Sequence, residues 1–239
     1  MALMNKRYLV LLALLACLTG CVPVDSLNPL YTDKDVVFDE SLLGDWVGSD
    51  NGTDGGLHFS RLQEISRLGP GYVVTMTGKP DEESMVLHAR LVNLGGKQFL
   101  DIMPTQWDSV QNSYTLKFKS SQAGPGIEPR LLRLGRAFYL EFERGNSSGE
   151  AKANLRRAHW FARLIRADKT IQLAWADDDD VKRAVENRSM QLPAQLMGDA
   201  KSKDVVITAS TEELRKFVAE HAEDGQFFSS KTSQLHRQK

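Results

Sequence analysis

Cysteine is almost absent from this chain. Its 239 residues contain two cysteines, Cys17 and Cys21, which both lie close to the amino terminus. The rest of the chain therefore has no thiol for a disulfide framework, for a cysteine-ligated zinc site or for a cysteine nucleophile.

An excess of one charge sign is also missing, as is any long hydrophobic run. Thirty lysines and arginines oppose 31 aspartates and glutamates. The chain therefore lacks the basic field that attracts nucleic acids, and no nucleic-acid partner is expected. The longest apolar run, Tyr8–Leu18, is much shorter than the ~20 residues that a transmembrane helix needs. With 41% hydrophobic and 26% charged residues, the composition is that of a globular protein, not of a disordered or collagenous one.

The amino terminus has the pattern of a targeting segment. The basic pair Lys6 and Arg7 precedes the apolar run, and small residues follow it before Cys21. This order predicts a signal peptide over residues 1–20 rather than a membrane span. An ordinary secretory signal is the alternative interpretation.

The sequence Leu18-Thr19-Gly20-Cys21 resembles the lipobox of bacterial lipoproteins. The resemblance implies that the sulfur of Cys21 is acylated and that the chain is cut just before it. Several acyl chains would hold the protein on a membrane of the cell envelope, since two already give stable attachment. Val22 stands where inner-membrane lipoproteins carry aspartate, which implies an outer-membrane location if the source has that membrane.

The mature chain is predicted to consist of a tether, one domain and a tail. Residues 21–41 contain Pro23, Pro29 and several turn formers, which is typical of a spacer. A single domain is expected over residues 42–228. The polar residues 229–239 are expected to form a flexible tail.

Apolar residues in this domain alternate in short segments between turn formers, which predicts an antiparallel sheet rather than βαβ units. Gly95-Gly96 and Asp168-Lys169 are expected to form hairpin turns. Leu57–Leu68 is ambiguous because some of its apolar residues have helical spacing, but its flanking glycines favour a strand. The clearest alternations are Tyr72, Val74 and Met76; Tyr114, Leu116 and Phe118; Phe138, Leu140 and Phe142; and Ile171, Leu173 and Trp175.

Two long loops and two helices complete this prediction. Ser120–Gly135 and Arg144–Arg156 hold most of the remaining glycine, proline and serine and are predicted as loops. Asp177–Asp180 precede a short helical pattern, so these acids are expected at the positive end of a helix dipole. Ser210–Glu213 form a capping box. The apolar stripe that follows the capping box has helical spacing and comprises Leu214, Phe217, Val218 and His221.

Gly44-Asp45-Trp46 resembles the Gly-X-Trp motif at the first strand of lipocalins. The resemblance implies a mainly β fold, an antiparallel up-and-down, lipocalin-like barrel or curved sheet, followed here by C-terminal helices. In that family the tryptophan plugs one end of the barrel and an arginine covers it, a role for which Arg163 and Arg166 are candidates. Trp46 is therefore expected to be buried, and its replacement by alanine to cost ~3–5 kcal/mol.

A second resemblance is to a group of bacterial lipoproteins that has no assigned activity. It implies the same domain and adds no function. The matching segments keep their order over most of the mature chain: Ser26–Thr32, Asp35–Asp39, Leu42–Trp46, Gly95–Gly96, Phe99–Asp101 and Thr208–Leu214.

Residues for catalysis or metal binding are sparse in this sequence. The contiguous aspartates Asp177–Asp180 lack the alternate spacing and the glycine of a calcium loop. His88 and His159 could meet in space, but a shared metal is the less favoured interpretation. No catalytic residue, cofactor or metal site is expected, and an enzyme is disfavoured. No ligand spacing connects the five histidines, His58, His88, His159, His221 and His236.

Two functions remain open for a lipid-anchored barrel, beside an unfamiliar enzyme. The first is a module that binds a small apolar or amphipathic ligand in a cavity lined by aromatic residues. The alternative is a structural or partner-binding lipoprotein with a filled barrel, whose two long loops dock another envelope protein. The aromatic residues that would line or fill the interior are Trp107, Trp160, Trp175, Phe138, Phe142 and Phe161.

Overall fold

The computed structural model describes residues 23–48, 55–62, 70–77, 84–104, 113–117, 127–134, 137–144, 154–198, 203–223, 225, 227–230 and 232–238. Its strands are β1 Asp25–Ser26, β2 Val36–Val37, β3 Gly44–Gly48, β4 Gly56–Arg61, β5 Tyr72–Thr77, β6 Met85–Leu94, β7 Lys97–Pro104, β8 Ser113–Lys117, β9 Ile127–Leu134, β10 Ala137–Arg144, β11 Asn154–Arg157, β12 Trp160–Ala167, β13 Thr170–Trp175, β14 Ala194–Gly198, β15 Lys203–Ile207 and β16 Ser233–Arg237. The helices are α1 Asp178–Glu186 and α2 Thr211–His221, and Glu40–Leu42 form a 3₁₀ turn.

Eight of these strands close into an antiparallel barrel. The order around the barrel is β3, β4, β5, β6, β7, β12, β13 and β16, and β16 pairs with both β13 and β3. This is an up-and-down meander with two insertions, one before β12 and one before β16. The prediction of a mainly β, antiparallel fold with C-terminal helices is confirmed, and the barrel is compatible with a lipocalin-like fold.

The predicted hairpin turns lie where the sequence placed them. Gly95 and Gly96 have φ angles of 58° and 77° between β6 and β7, a backbone conformation that glycine adopts without steric cost. Asp168, with φ of 46°, turns the chain between β12 and β13. The ambiguous segment Leu57–Leu68 is a strand up to Arg61, while residues 63–69 lie outside the described part.

The strand that closes the barrel comes from the predicted tail. β16 lies within residues 229–239, and Leu235 pairs with Gly48 on one side and with Ile171 on the other. The prediction of a flexible tail is therefore wrong for residues 233–237. A five-residue strand that points only Leu235 into the core has too little apolar alternation to be recognised in the sequence.

Trp46 plugs the end of the barrel near the 3₁₀ turn, as the sequence predicted. Its side chain is 5% exposed, and its Nε1–H donates a 2.8 Å hydrogen bond to the Leu42 carbonyl. The guanidinium of Arg237 lies 5.3 Å from the centroid of its ring. Arg237 also donates to the carbonyls of Ser41 and Leu43, so it fixes the 3₁₀ turn over the indole.

The candidates Arg163 and Arg166 are therefore wrong for the arginine that covers Trp46. Arg163 donates a 2.8 Å hydrogen bond to the Ala222 carbonyl, and Arg166 forms a 2.8 Å ion pair with Asp39. The covering arginine belongs to β16, whose polar sequence predicts a tail, so the sequence does not indicate its role.

The predicted tether is also wrong over residues 23–31, which we call the strap. Strand β1 in the strap pairs in parallel with β15, and the Val24 N–H donates to the Ala176 carbonyl at 3.0 Å. Val24 and Leu30 are fully buried. Prolines are tolerated in such a segment at positions whose N–H is not needed as a donor, so a proline-rich composition does not by itself separate a strap from a spacer.

The apolar residues form two cores, one inside the barrel and one outside it. The inner core includes Trp46, Phe59, Tyr72, Leu87, Leu100, Trp160 and Leu164. The outer core lies where the strap, α1, α2 and the β14–β15 hairpin cover the outer face of the barrel. It includes Val24, Leu30, Phe99, Phe161, Val181, Val205, Leu214, Val218, Phe227 and Phe228.

The insertion between β7 and β12 is an antiparallel sheet in the order β11, β10, β9, β8. The loop predicted over Ser120–Gly135 is therefore wrong for Ile127–Leu134, which form β9 and pair with β10 along their full length. The loop predicted over Arg144–Arg156 is likewise wrong at its carboxyl end, where β11 begins at Asn154. Pro129 and the two arginines of β9 gave it the composition of a loop, whereas pairing with its neighbours makes it a strand.

Candidate functional site

The interior of the barrel was the first place expected to bind a ligand. In the part of the chain that the structure describes, apolar side chains of the inner core occupy it, and Trp160 is buried among them. Phe161 belongs to the outer core, and Trp175 packs half-buried against the inner one. Trp107 and the side chains of Phe138 and Phe142 lie outside the described part. Of the six aromatic candidates to line a cavity, Trp160 is thus the one buried in the described inner core.

The five histidines occupy separate environments. His58 is exposed and lies 2.6 Å from Asp45, whereas His159 is buried against Asp101. His88 and His236 are half-buried on β6 and β16, and His221 lies near the end of α2. Among the described residues, no three histidine, cysteine or acidic side chains are arranged to hold a metal ion.

A buried polar cluster fastens the strap to the barrel. Asp101 is 2% exposed; one of its carboxylate oxygens accepts the Leu30 N–H at 2.6 Å, and the other lies 2.7 Å from Nδ1 of His159. Arg90 stands opposite Asp101 in the β6–β7 pairing. The ring of Tyr31 meets that of His159 edge-on, with centroids 6.3 Å apart.

This cluster has a carboxylate–histidine pair, which in some enzymes activates a nucleophile. Here the strap covers the pair. Burial, and next to it the charge of Asp101, raises the pKa of Tyr31 to about 12, so the phenol stays protonated and cannot act as a base near neutral pH. The geometry therefore supports a structural role, in which buried hydrogen bonds hold the strap in place.

The acidic run at the start of α1 caps that helix, as the sequence predicted. The carboxylate of Asp177 accepts the Asp180 N–H at 3.1 Å, which satisfies a donor of the first turn. Asp178 accepts the Val205 N–H at 3.2 Å, and Asp180 pairs with Arg183. The Asp178 hydrogen bond thus joins α1 to β15. The carboxylates of the first turn stabilise the positive end of the helix.

The titration of Asp178 affects the stability of the fold. Burial, and then the charges of Asp204, Asp179 and Asp25, raise its pKa from 3.8 to about 6 against the opposing effect of the Val205 hydrogen bond. Because the folded-state pKa is the higher one, proton binding between pH 3.8 and about 6 favours the folded state. Above pH 6 the ionised carboxylate destabilises the domain.

Asp178→Asn is therefore expected to raise the free energy of unfolding by about 1 kcal/mol at pH 7.5, after allowing for solvent screening of this half-buried group. The gain should shrink as the pH falls through 6. Urea unfolding at pH 7.5 and pH 4.5 measures both effects. Asp179→Asn, an exposed change on the same helical turn, controls for the loss of the dipole interaction. An equal gain in both variants, or a gain that does not depend on pH, would contradict this account.

A cleft of about 430 Å³ lies between α2 and the segment that runs from α1 to residue 191. Its apolar floor consists of Ala184, Met190, Phe217 and Phe227. Phe217 contacts the ring of His221 at a centroid distance of 4.3 Å and meets Phe227 edge-on at 5.2 Å. Phe227 is only 2% exposed, so the half-buried ring of Phe217 is the aromatic part of the floor that solvent can reach.

Charged side chains of α2 form the rim of this cleft. Glu213, Lys216 and Glu220 line it together, because positions three and four apart share one face of a helix. Hydrogen bonds from the side chain and backbone of Ser210 lower the pKa of Glu213 below its ordinary value, so this carboxylate is ionised near neutral pH. The rim therefore carries two carboxylates and one ammonium group.

The sequence did not reveal this cleft. The sequence predicts one apolar stripe of Leu214, Phe217, Val218 and His221, of which Leu214 and Val218 are buried. Phe217 and His221 lie at the border of the buried face and are half-buried. The signal available was their closeness to Glu213, Lys216 and Glu220 on the helical surface.

Comparisons with protein-family models, with curated proteins and with solved structures find no match. Among the described residues, no helix is long and apolar enough to cross a membrane. Cys21 lies outside the described part, so its acylation stays a prediction from the sequence.

Proposed function

We propose that this protein is a lipid-anchored lipoprotein of the bacterial cell envelope that acts by binding another envelope protein, with its barrel as a packed scaffold. The order of basic, apolar and small residues before Cys21 supports the anchor. The inner core supports the scaffold role, because the described side chains fill the barrel interior. This packing is the observation that favours a protein partner over a ligand carried inside the barrel.

The insertion β8–β11 offers a surface for such a partner. In the described residues β8 pairs only with β9, and β11 pairs only with β10, so these two are the edge strands of the sheet. β8 also lies close to β14. An edge strand presents unpaired backbone groups that can bind an extended segment of another protein. The two segments first expected to dock a partner, Ser120–Gly135 and Arg144–Arg156, belong to this same insertion.

The anchor is tested by labelling cells with a fatty-acid analogue. The wild-type chain should take up the label and Cys21→Ala should not, because the sulfur of Cys21 is the proposed acylation site. Label that persists undiminished in the variant would contradict the anchor. This result is independent of whether the barrel binds a partner.

The scaffold role is tested by two measurements on the wild-type chain. Native mass spectrometry should find no lipid-sized molecule retained by the protein. A photo-crosslinking residue at Thr115 on β8 should join the chain to one discrete envelope protein, while the same residue at Lys169, in the exposed turn between β12 and β13, should not. A retained lipid, or equal crosslinking at both positions, would contradict the proposal.

A further inference from the structure

The cleft between α1 and α2 combines features that the proposed scaffold role does not use. Its floor is apolar, and the ring of Phe217 in that floor is only half-buried. At about 430 Å³ it lies within the range of small-molecule sites. A mostly apolar floor with a few polar groups at its edge is the usual construction of such a site.

The charges of the cleft indicate which kind of molecule fits. Glu213 and Glu220 are two helical turns apart on α2, about 10 Å along the axis, and Lys216 lies between them. The described lining residues therefore carry one more carboxylate than ammonium group. The two carboxylates would repel an anionic ligand. A cation would be attracted to Glu213 at one end of this row and to Glu220 at the other.

The aromatic floor favours a cation for a second reason. An ammonium group is attracted to the face of an aromatic ring, and the half-buried Phe217 supplies such a ring in the lining. The apolar part of the same ligand would contact Met190 and Ala184. We propose that this cleft binds a small amphipathic cation, an amine that carries an aromatic or short alkyl body.

This proposal is tested with tryptamine as the probe and indole-3-propionate as its anionic counterpart. The full chain is reconstituted in phosphatidylcholine nanodiscs, and empty nanodiscs serve as the blank in equilibrium dialysis. Tryptamine should bind saturably above the blank, and indole-3-propionate should not. The absence of saturable tryptamine binding, or equal binding of the two probes, would overturn the proposal.

Two charge-reversal variants locate the binding. Glu220→Lys on the rim should weaken tryptamine binding at least about fivefold, the effect of ~1 kcal/mol. Glu186→Lys, the same change at an exposed position of α1 outside the lining, should alter it less than about twofold. Ala184→Phe should abolish binding by filling the floor, with far-UV circular dichroism confirming the fold. Should Glu220→Lys fail to fold, Glu220→Gln replaces it and should weaken binding in the same direction. Equal losses in the rim variant and in Glu186→Lys would overturn the assignment of the cleft.

Discussion

Deleting residues 232–239 is expected to abolish the cooperative unfolding transition of the domain. Strand β16 lies between β13 and β3, so its removal breaks two strand pairings and opens the barrel. The deletion also removes Leu235 from the inner core and Arg237 from the indole of Trp46. An opened barrel leaves two long edges unpaired, which invites aggregation.

Urea unfolding followed by circular dichroism measures this effect. Deleting only Gln238 and Lys239 is the control, since it leaves β16 in place and removes a single backbone hydrogen bond, from the Gln238 N–H to the Asp45 carbonyl. Leu235→Ala should give an intermediate loss of ~2–5 kcal/mol, the usual cost of truncating a buried leucine. A truncated chain that unfolds cooperatively at the wild-type urea concentration would show that β16 is dispensable.

Trp46→Ala is expected to lower the free energy of unfolding by ~3–5 kcal/mol, the range for a large buried aromatic side chain. The substitution empties the closed end of the barrel. It also leaves the Leu42 carbonyl without the indole N–H, and it removes the surface on which Arg237 rests. All three effects act in the same direction.

Two further variants separate these contributions. Trp46→Phe keeps an aromatic plug and loses the hydrogen bond, so its cost should be ~1–3 kcal/mol, that of an unsatisfied buried acceptor. Trp175→Ala is the matched control, because the side chain of Trp175 is half-buried and its truncation should cost less. Chemical denaturation of the three variants gives the comparison. A cost for Trp46→Ala no larger than that for Trp175→Ala would refute the plug.

The sequence predicted those parts of the fold that local chemistry specifies. Gly95-Gly96 turns the chain because glycine adopts positive φ freely, and Ser210 with Glu213 caps α2 by contacts within four residues. The alternation of Tyr72, Val74 and Met76 predicted β5, because alternate residues of a strand lie on the same face of the sheet. In each case the residues that determine the structure are neighbours in the sequence.

The features that were missed depend on partners far away in the chain. Arg237 covers Trp46 because β16 pairs with β3. The sequence of neither strand indicates that pairing. The strap gains its structure from β15 and from the polar cluster around Asp101. The cleft exists because Phe227 comes to lie beside Phe217, and no pattern within α2 predicts that approach.

The strap fixes how the protein would sit on its membrane. The backbone is held from Val24 onward by the hydrogen bond to Ala176, and one residue separates Pro23 from Cys21. A two-residue step spans at most ~7 Å. Acyl chains on Cys21, as proposed, would therefore hold Pro23 within that distance of the anchor. The start of α1, where Pro23 pairs with Asp177, would then rest against the lipid headgroups. The anchor would set the orientation of the whole domain and confine its partners to those that reach it close to the bilayer.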